Sequence, residues 1–245
     1  YCVEKRISHV IIDRKPRVLF ASHPSIWERH NIEKTLVEFY DAEFFYLSSL
    51  QEARYLNDRE VVDKYFYSWV LEKTRERKVD LILTYFSGAE ISLSVLNKCQ
   101  SLGVRIVTFH YDDRLHFKGK FLDGQFTGPM GVALGYDCNY TNAPQSLFKY
   151  SKIRAKARFM PEAANPKHFS PQQILKKYDV TFVGAKYGMR ENFILSLRKR
   201  GIKVACFGPG WEAGTLSEHD MVRIYSESWI SLGFGFIGDT KLTCL

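Results

Sequence analysis

The sequence predicts an α/β protein built from two successive units, each a mainly parallel sheet with helices on both faces. Three observations point to this. Short β-rich apolar runs alternate with helical periodicity along most of the 245 residues. Runs such as "DLILTYF" (80–86) are almost continuously apolar, as strands covered on both faces are. After a break with three prolines at 161–171, the alternation starts again.

In the first unit, "RVLFAS" (17–22) reads as the opening strand. "NIEKTLVEFYDA" (31–42) follows as a helix with Ile32, Leu36 and Phe39 on one face, and "EFFYL" (43–47) as the second strand. Asp58 is placed to cap a long helix with the stripe Val62, Tyr65, Phe66 and Trp69. The strand at 80–86 leads into Ser87-Gly88-Ala89-Glu90, a capping-box pattern expected to open a helix running to about Leu102. "VRIVTF" (104–109) is the next strand. A glycine-rich irregular stretch (119–135) precedes a short strand and helix in "YDCNYTNAPQSLFKY" (136–150).

The second unit begins with the strand "DVTFVG" (179–184) and the helix "MRENFILSLRKRG" (189–201), closed by Gly201. "IKVACFG" (202–208) is its second strand. Ser217 and Asp220 open another helix, and "WISLGFGF" (229–236) is a last strand-like run. The expected domains are 1–168 and 169–245. The second is short for a doubly wound domain of roughly 100–150 residues, so it is expected to be incomplete and the chain a fragment.

Composition narrows the function classes. At 45% apolar and 15% aromatic residues the chain is no disordered segment. No apolar run reaches the roughly 18 residues that span a bilayer. No secretory h-region opens the chain, and the five cysteines are scattered without C-x-x-C spacing. They read as reduced thiols, and the expected compartment is the cytoplasm. The net charge of +8 favours anionic ligands without naming one. In "KIRAKARF" (152–159) the cations Lys152, Arg154, Lys156 and Arg158 alternate, so on one strand they would share a face. That face reads as a charged edge strand, with peripheral contact to anionic lipid as the sharper alternative. Nucleic acid is not expected as a partner, because no aromatic residues interleave with the basic stretch.

Four stretches carry candidate chemistry. In "FVGAKYGMREN" (182–192) a strand ends at Gly184, a loop carries Lys186 and Gly188, and a helix starts near Arg190. That is either an anion site at a helix N-terminus or a tight βα turn. In "CFGPGW" (206–211), Gly208 and Gly210 make a turn at a strand end, and Trp211 either stacks on a ligand or covers the core. "GFGFIG" (233–238) spells a dinucleotide fingerprint but has no room after it for a helix and a later acid, so nicotinamide binding is discounted. Finally, His110, Asp112 and Asp113 gather at the end of an apolar strand, where active-site residues collect in this architecture. A carboxylate there suits a general base and His110 an orienting group. Metal binding and simple capping compete, although the H-x-D-D-x-x-H spacing matches no established metal motif.

Taken in order, six segments resemble those of one family: "FHYDDRLHF" (109–117), "YDCNYTNAPQSLFKY" (136–150), "MPEAANPKHFSP" (160–171), "DVTFVGAKYGMREN" (179–192), "GIKVACFGPGW" (201–211) and "IYSESWISLGF" (224–234). The chain resembles the CgeB-type, or spore-maturation-protein-like, glycosyltransferases of the GT-B fold. The resemblance implies two Rossmann-like domains facing each other across a cleft, the second one incomplete here, and a metal-independent hexosyl transfer from a nucleotide-diphosphate sugar to an unknown glycan, protein or lipid-linked acceptor. The sugar nucleotide would be a co-substrate, with no further cofactor. Asp112, Asp113 and His110 would then be catalytic. Gly184, Lys186, Arg190, Gly208, Gly210 and Trp211 would hold the donor, and His23 and Trp27 would line the acceptor side. The family continues with donor-holding acids that this sequence lacks. The alternatives are a non-catalytic two-lobed nucleotide- or sugar-binding module and a GT-B-type sugar-nucleotide epimerase.

Overall fold

The structure, a computed structural model, describes residues 14–23, 32–47 and 58–233. The chain divides into two compact units, Tyr1–Met160 and Pro161–Leu245. The first is a six-stranded parallel sheet flanked by helices, a Rossmann-like α/β arrangement.

Its elements run β1 (Arg17–Ser22), α1 (Lys34–Phe39), β2 (Asp41–Tyr46), α2 (Arg59–Glu76), β3 (Leu81–Tyr85), α3 (Leu93–Gln100), β4 (Ile106–His110), the single turn α4 (Asp113–His116), the hairpin β5 (Phe121–Leu122) and β6 (Gln125–Phe126), β7 (Cys138–Thr141), α5 (Ser146–Lys152) and β8 (Ala157–Phe159). The sheet order is β2-β1-β3-β4-β7-β8, and every pairing within it is parallel. β1 is buried at all six positions: Val18 to Ala21 are apolar, and Arg17 is buried with its guanidinium on Glu43 and Glu76. Alternate residues feed opposite faces. Leu19 and Ala21 join Val62, Phe66 and Val70 of α2 and Val95, Leu96 and Cys99 of α3. Phe20 meets Leu36 of α1 and Phe109 on the other face, where Tyr85 also stacks on Phe109 at 4.9 Å.

Local rules explain most boundaries. Asp58 caps α2 through the Val61 amide, 3.3 Å away. Two differences from expectation matter below. Of the Ser87–Glu90 capping box only the bond from the Ser87 amide to the Glu90 carboxylate forms; it closes a turn, and α3 starts only at Leu93 with Ser92 as its cap. Glu90 therefore has a second oxygen to spend elsewhere. The basic stretch is also no single strand face: Lys152 ends α5, Arg154 sits in a turn at φ +59°, and only 157–159 pair with β7. Phe39, expected on the buried face of α1, is 53% exposed.

The second unit contains β9 (Tyr178–Val183), α6 (Arg190–Lys199), β10 (Val204–Phe207), α7 (Glu218–Glu227) and β11 (Ser228–Leu232). Its three strands are parallel in the order β10-β9-β11. Phe182, Ile194, Val204, Cys206 and Trp211 form its core. Gly201 closes α6 at φ +82°, and Ser217 caps α7 through the Asp220 amide. Within the "GFGFIG" stretch, only Gly233 lies among the described residues. Among the described residues no helix is long and apolar enough to cross a membrane.

Candidate functional site

In the first sheet β1 lies between β2 and β3, so the chain leaves β1 toward one edge and returns on its other side. Such a reversal opens a crevice outside the carboxyl ends of the strands, where open α/β sheets bind ligands. A cleft of about 750 Å³ lies there. His23 follows β1, Ser87 and Glu90 follow β3, His110 ends β4, and Asp112 opens the turn beyond it; all of them line the cleft.

His110 is the unusual group. It is 5% exposed, and its Nε2 has no hydrogen-bond partner among the described residues. Burial pushes its pKa down to about 4, against a smaller upward pull from the Glu90 charge, so the imidazole is neutral at pH 7. A buried polar atom without a partner is costly, which makes it a candidate for contact with a ligand. Beside it, Glu90 accepts from the Ser87 amide and hydroxyl through Oε2, and its Oε1 lies 2.9 Å from His23 Nε2. Burial raises the Glu90 pKa, but the hydrogen bond and charge of His23 outweigh it, and the net shift is downward.

The adjacent acids have different environments. Asp112 is exposed at the mouth of the cleft. Asp113 is 1% exposed, and its carboxylate accepts from the hydroxyls of Thr141 (2.9 Å), Ser146 (2.9 Å) and Tyr150 (3.0 Å). Burial raises its pKa, and the three hydroxyls only partly offset that. This carboxylate ties α4 to β7 and α5. Both its oxygens accept hydrogen bonds inside the protein, which favours the structural reading of Asp113 over the catalytic one, although the residue also lines the cleft.

In the second unit the two glycine loops clasp each other. The Gly184 amide donates to Phe207 O (2.8 Å) and the Lys186 amide to Pro209 O (2.8 Å). Gly208 sits at φ +123°, and a Cβ there would stand 2.5 Å from Gly184 O. Gly210, at φ +85°, would crowd Lys186 in the same way. Both glycines are thus required for close packing of the loops. The cations assigned to a donor already have partners. Lys186 Nζ is 2.8 Å from Glu191 and lies over the Trp211 ring. Arg190 donates to Ala185 O at 2.9 Å and stacks 4.0 Å from the Tyr187 ring centroid. Trp211 is 6% exposed, donates its indole N–H to Gly184 O (2.8 Å) and packs edge-on against Phe182. The expectation that Trp211 stacks on a ligand is corrected: it is a core residue. What remains open toward an anion is the start of α6, which no side chain caps.

His23 lines the cleft; Trp27 lies outside the described residues. Among the described residues no group of three His, Cys, Asp or Glu is placed to share a metal ion. Three cleft residues escaped the sequence reading: Glu90, Lys118 and Lys120. Only Glu90 left a trace, its capping-box spacing, and that pattern pointed to helix initiation. No protein-family model matches the chain, and no curated protein matches it.

Proposed function

We propose that the chain is a glycosyltransferase that moves a sugar from a nucleotide-diphosphate sugar to an acceptor hydroxyl bound in the first unit. The observation that supports this most is His110, a buried, neutral imidazole whose Nε2 has no partner among the described residues, lining a strand-end cleft at a switch point of the sheet. An acceptor hydroxyl donates to the unprotonated ring nitrogen. As the bond from the anomeric carbon to the leaving diphosphate breaks and the new bond to the acceptor oxygen forms, the hydroxyl proton passes to that nitrogen. A base of low pKa suits a reaction in which the hydroxyl becomes acidic only late. In the second unit, taken by itself, the uncapped start of α6 offers backbone N–H groups to a phosphate, and Lys186 can exchange Glu191 for a phosphate oxygen.

A second reading, binding without turnover, has its own support: the second unit's cations are paired and its tryptophan is buried. The natural protein, incubated with a panel of sugar nucleotides and an acceptor extract, separates the two. Acceptor-dependent release of nucleoside diphosphate is expected. Binding of a sugar nucleotide without any release would support the binding module and sink the transferase.

A further inference from the structure

The cleft of the first unit has a wall whose charge the proposed transfer does not use. The chain from Lys118 to Gly128 forms the β5–β6 hairpin, and Lys118 and Lys120 both line the cleft. Lys118 Nζ lies 4.8 Å from the centroid of the Phe126 ring. Among the described residues neither lysine has an acidic side chain within ion-pair distance. His116 stands on the same rim. Of the cleft's acids, Glu90 faces His23, and Asp113 is buried against three hydroxyls. Asp112, exposed at the mouth, also lines the cleft.

The wall is held in place. Arg59 donates to Gly88 O (2.9 Å), Leu122 O (3.1 Å) and Asp123 O (3.2 Å), which ties the hairpin tip to the turn after β3. Gln125 bonds Gly88 O, Ile91 O and the Leu93 amide. Ser87 Oγ lies 2.9 Å from Thr127 O, its one proton serving either that carbonyl or Glu90. Between the lysines, Gly119 holds φ +65°, and a Cβ there would stand 2.4 Å from Thr127 Oγ1 and 2.5 Å from the Gly128 amide nitrogen. Only glycine lets the strand cross so closely, and the two lysines flank it. The backbone that carries the two exposed lysines is thus set before an anion arrives, and only their side chains remain to be ordered.

We infer that the acceptor taken by this cleft is a phosphate ester with a free hydroxyl: Lys118 and Lys120 hold the phosphate while His110 meets the hydroxyl. Lysine ammoniums act as point charges suited to phosphate oxygens, whereas among the described residues no arginine lines the cleft to favour a carboxylate. This inference builds on the transferase reading for the role of the hydroxyl but not for the binding itself.

Glycerol 3-phosphate is the smallest probe with both groups. Titrated calorimetrically into the natural protein, it is expected to bind, to weaken with added salt, and to bind at least tenfold more weakly to Lys118→Gln/Lys120→Gln. Glycerol should not bind detectably. Vesicles containing phosphatidylglycerol test the lipid-borne form of the same chemistry; lysine-dependent binding to them, but not to phosphatidylcholine vesicles, would assign the phosphate to a lipid acceptor. Unchanged affinity in the double variant, or equal binding of glycerol, would overturn the inference. So would displacement of glycerol 3-phosphate by uridine diphosphate, which would give the lysines to the donor. Lysine-dependent phosphate binding with no turnover of any sugar nucleotide would keep this inference and remove the transferase reading.

Discussion

The two units place equivalent strand-end loops in opposite conditions. Each has its first strand between the second and third, and each puts glycines, cations and a histidine or tryptophan just beyond the strand ends. In the first unit those ends surround a cleft in which, among the described residues, His110 Nε2 has no partner and two lysines have no acidic side chain within ion-pair distance. In the second, the loops close on each other, with Trp211 in the core, Lys186 on Glu191 and Arg190 on Ala185 O and the Tyr187 ring. Residue type and position at a strand end are thus not enough to mark a site. What distinguishes the two is how the charged heads are occupied, although Arg190 Nε is also buried without a partner among the described residues.

The largest effect that separates the regions is at Trp211. Trp211→Ala should destabilise the second unit by about 3–5 kcal/mol, as emptying a large core site does, read by chemical denaturation. A variant that keeps its stability and instead loses nucleotide affinity would restore the stacking role. Asp113→Ala should cost roughly 3 kcal/mol, because it leaves the Thr141, Ser146 and Tyr150 hydroxyls unsatisfied. Turnover per folded molecule should change far less than in His110→Ala. Lost turnover at unchanged stability would return Asp113 to the reaction.

Acidity gives the next comparison. His110 has a folded pKa of about 4, below its ordinary 6.5. The unfolded chain therefore takes up this proton first, so the contribution to stability is complete above pH 6.5 and is lost as the pH falls toward 4. The loss amounts to at most about 3 kcal/mol. His110→Gln should flatten the acid limb by that amount relative to the wild type. The subtraction cancels the opposing shifts of Glu90, lowered, and Asp113, raised. Parallel acid limbs in the two proteins would mean that His110 titrates in water. The smallest effect is expected at the exposed pair: Glu191→Gln releases Lys186 and should tighten nucleoside diphosphate binding a few-fold. Unchanged affinity would argue against a donor site at the start of α6.

Periodicity and capping rules recovered the strand-helix alternation, because they act over a few neighbouring residues. Asp58, Gly201 and Ser217 sit where local chemistry puts them. The site was only half readable. His110 and Asp112 were found because they interrupt an apolar run. Asp113 looked identical to Asp112 in one dimension, and only the return of β7 and α5 beside it shows that its carboxylate is engaged. Glu90 was absorbed by its capping-box spacing, since nothing local reveals that its other oxygen reaches His23 across the sheet. Lys118 and Lys120 lie in a glycine-rich stretch whose position over the cleft is set by Arg59 and Gln125, far away in sequence.

The central claim, that the first unit holds the open site, is tested most directly on the imidazole of His110 by nuclear magnetic resonance. Its ring-proton resonances, assigned by comparison with His110→Gln, should stay flat from pH 8 to pH 5 and move when glycerol 3-phosphate or a sugar nucleotide is added. Titration near pH 6.5 together with no response to either ligand would contradict the account.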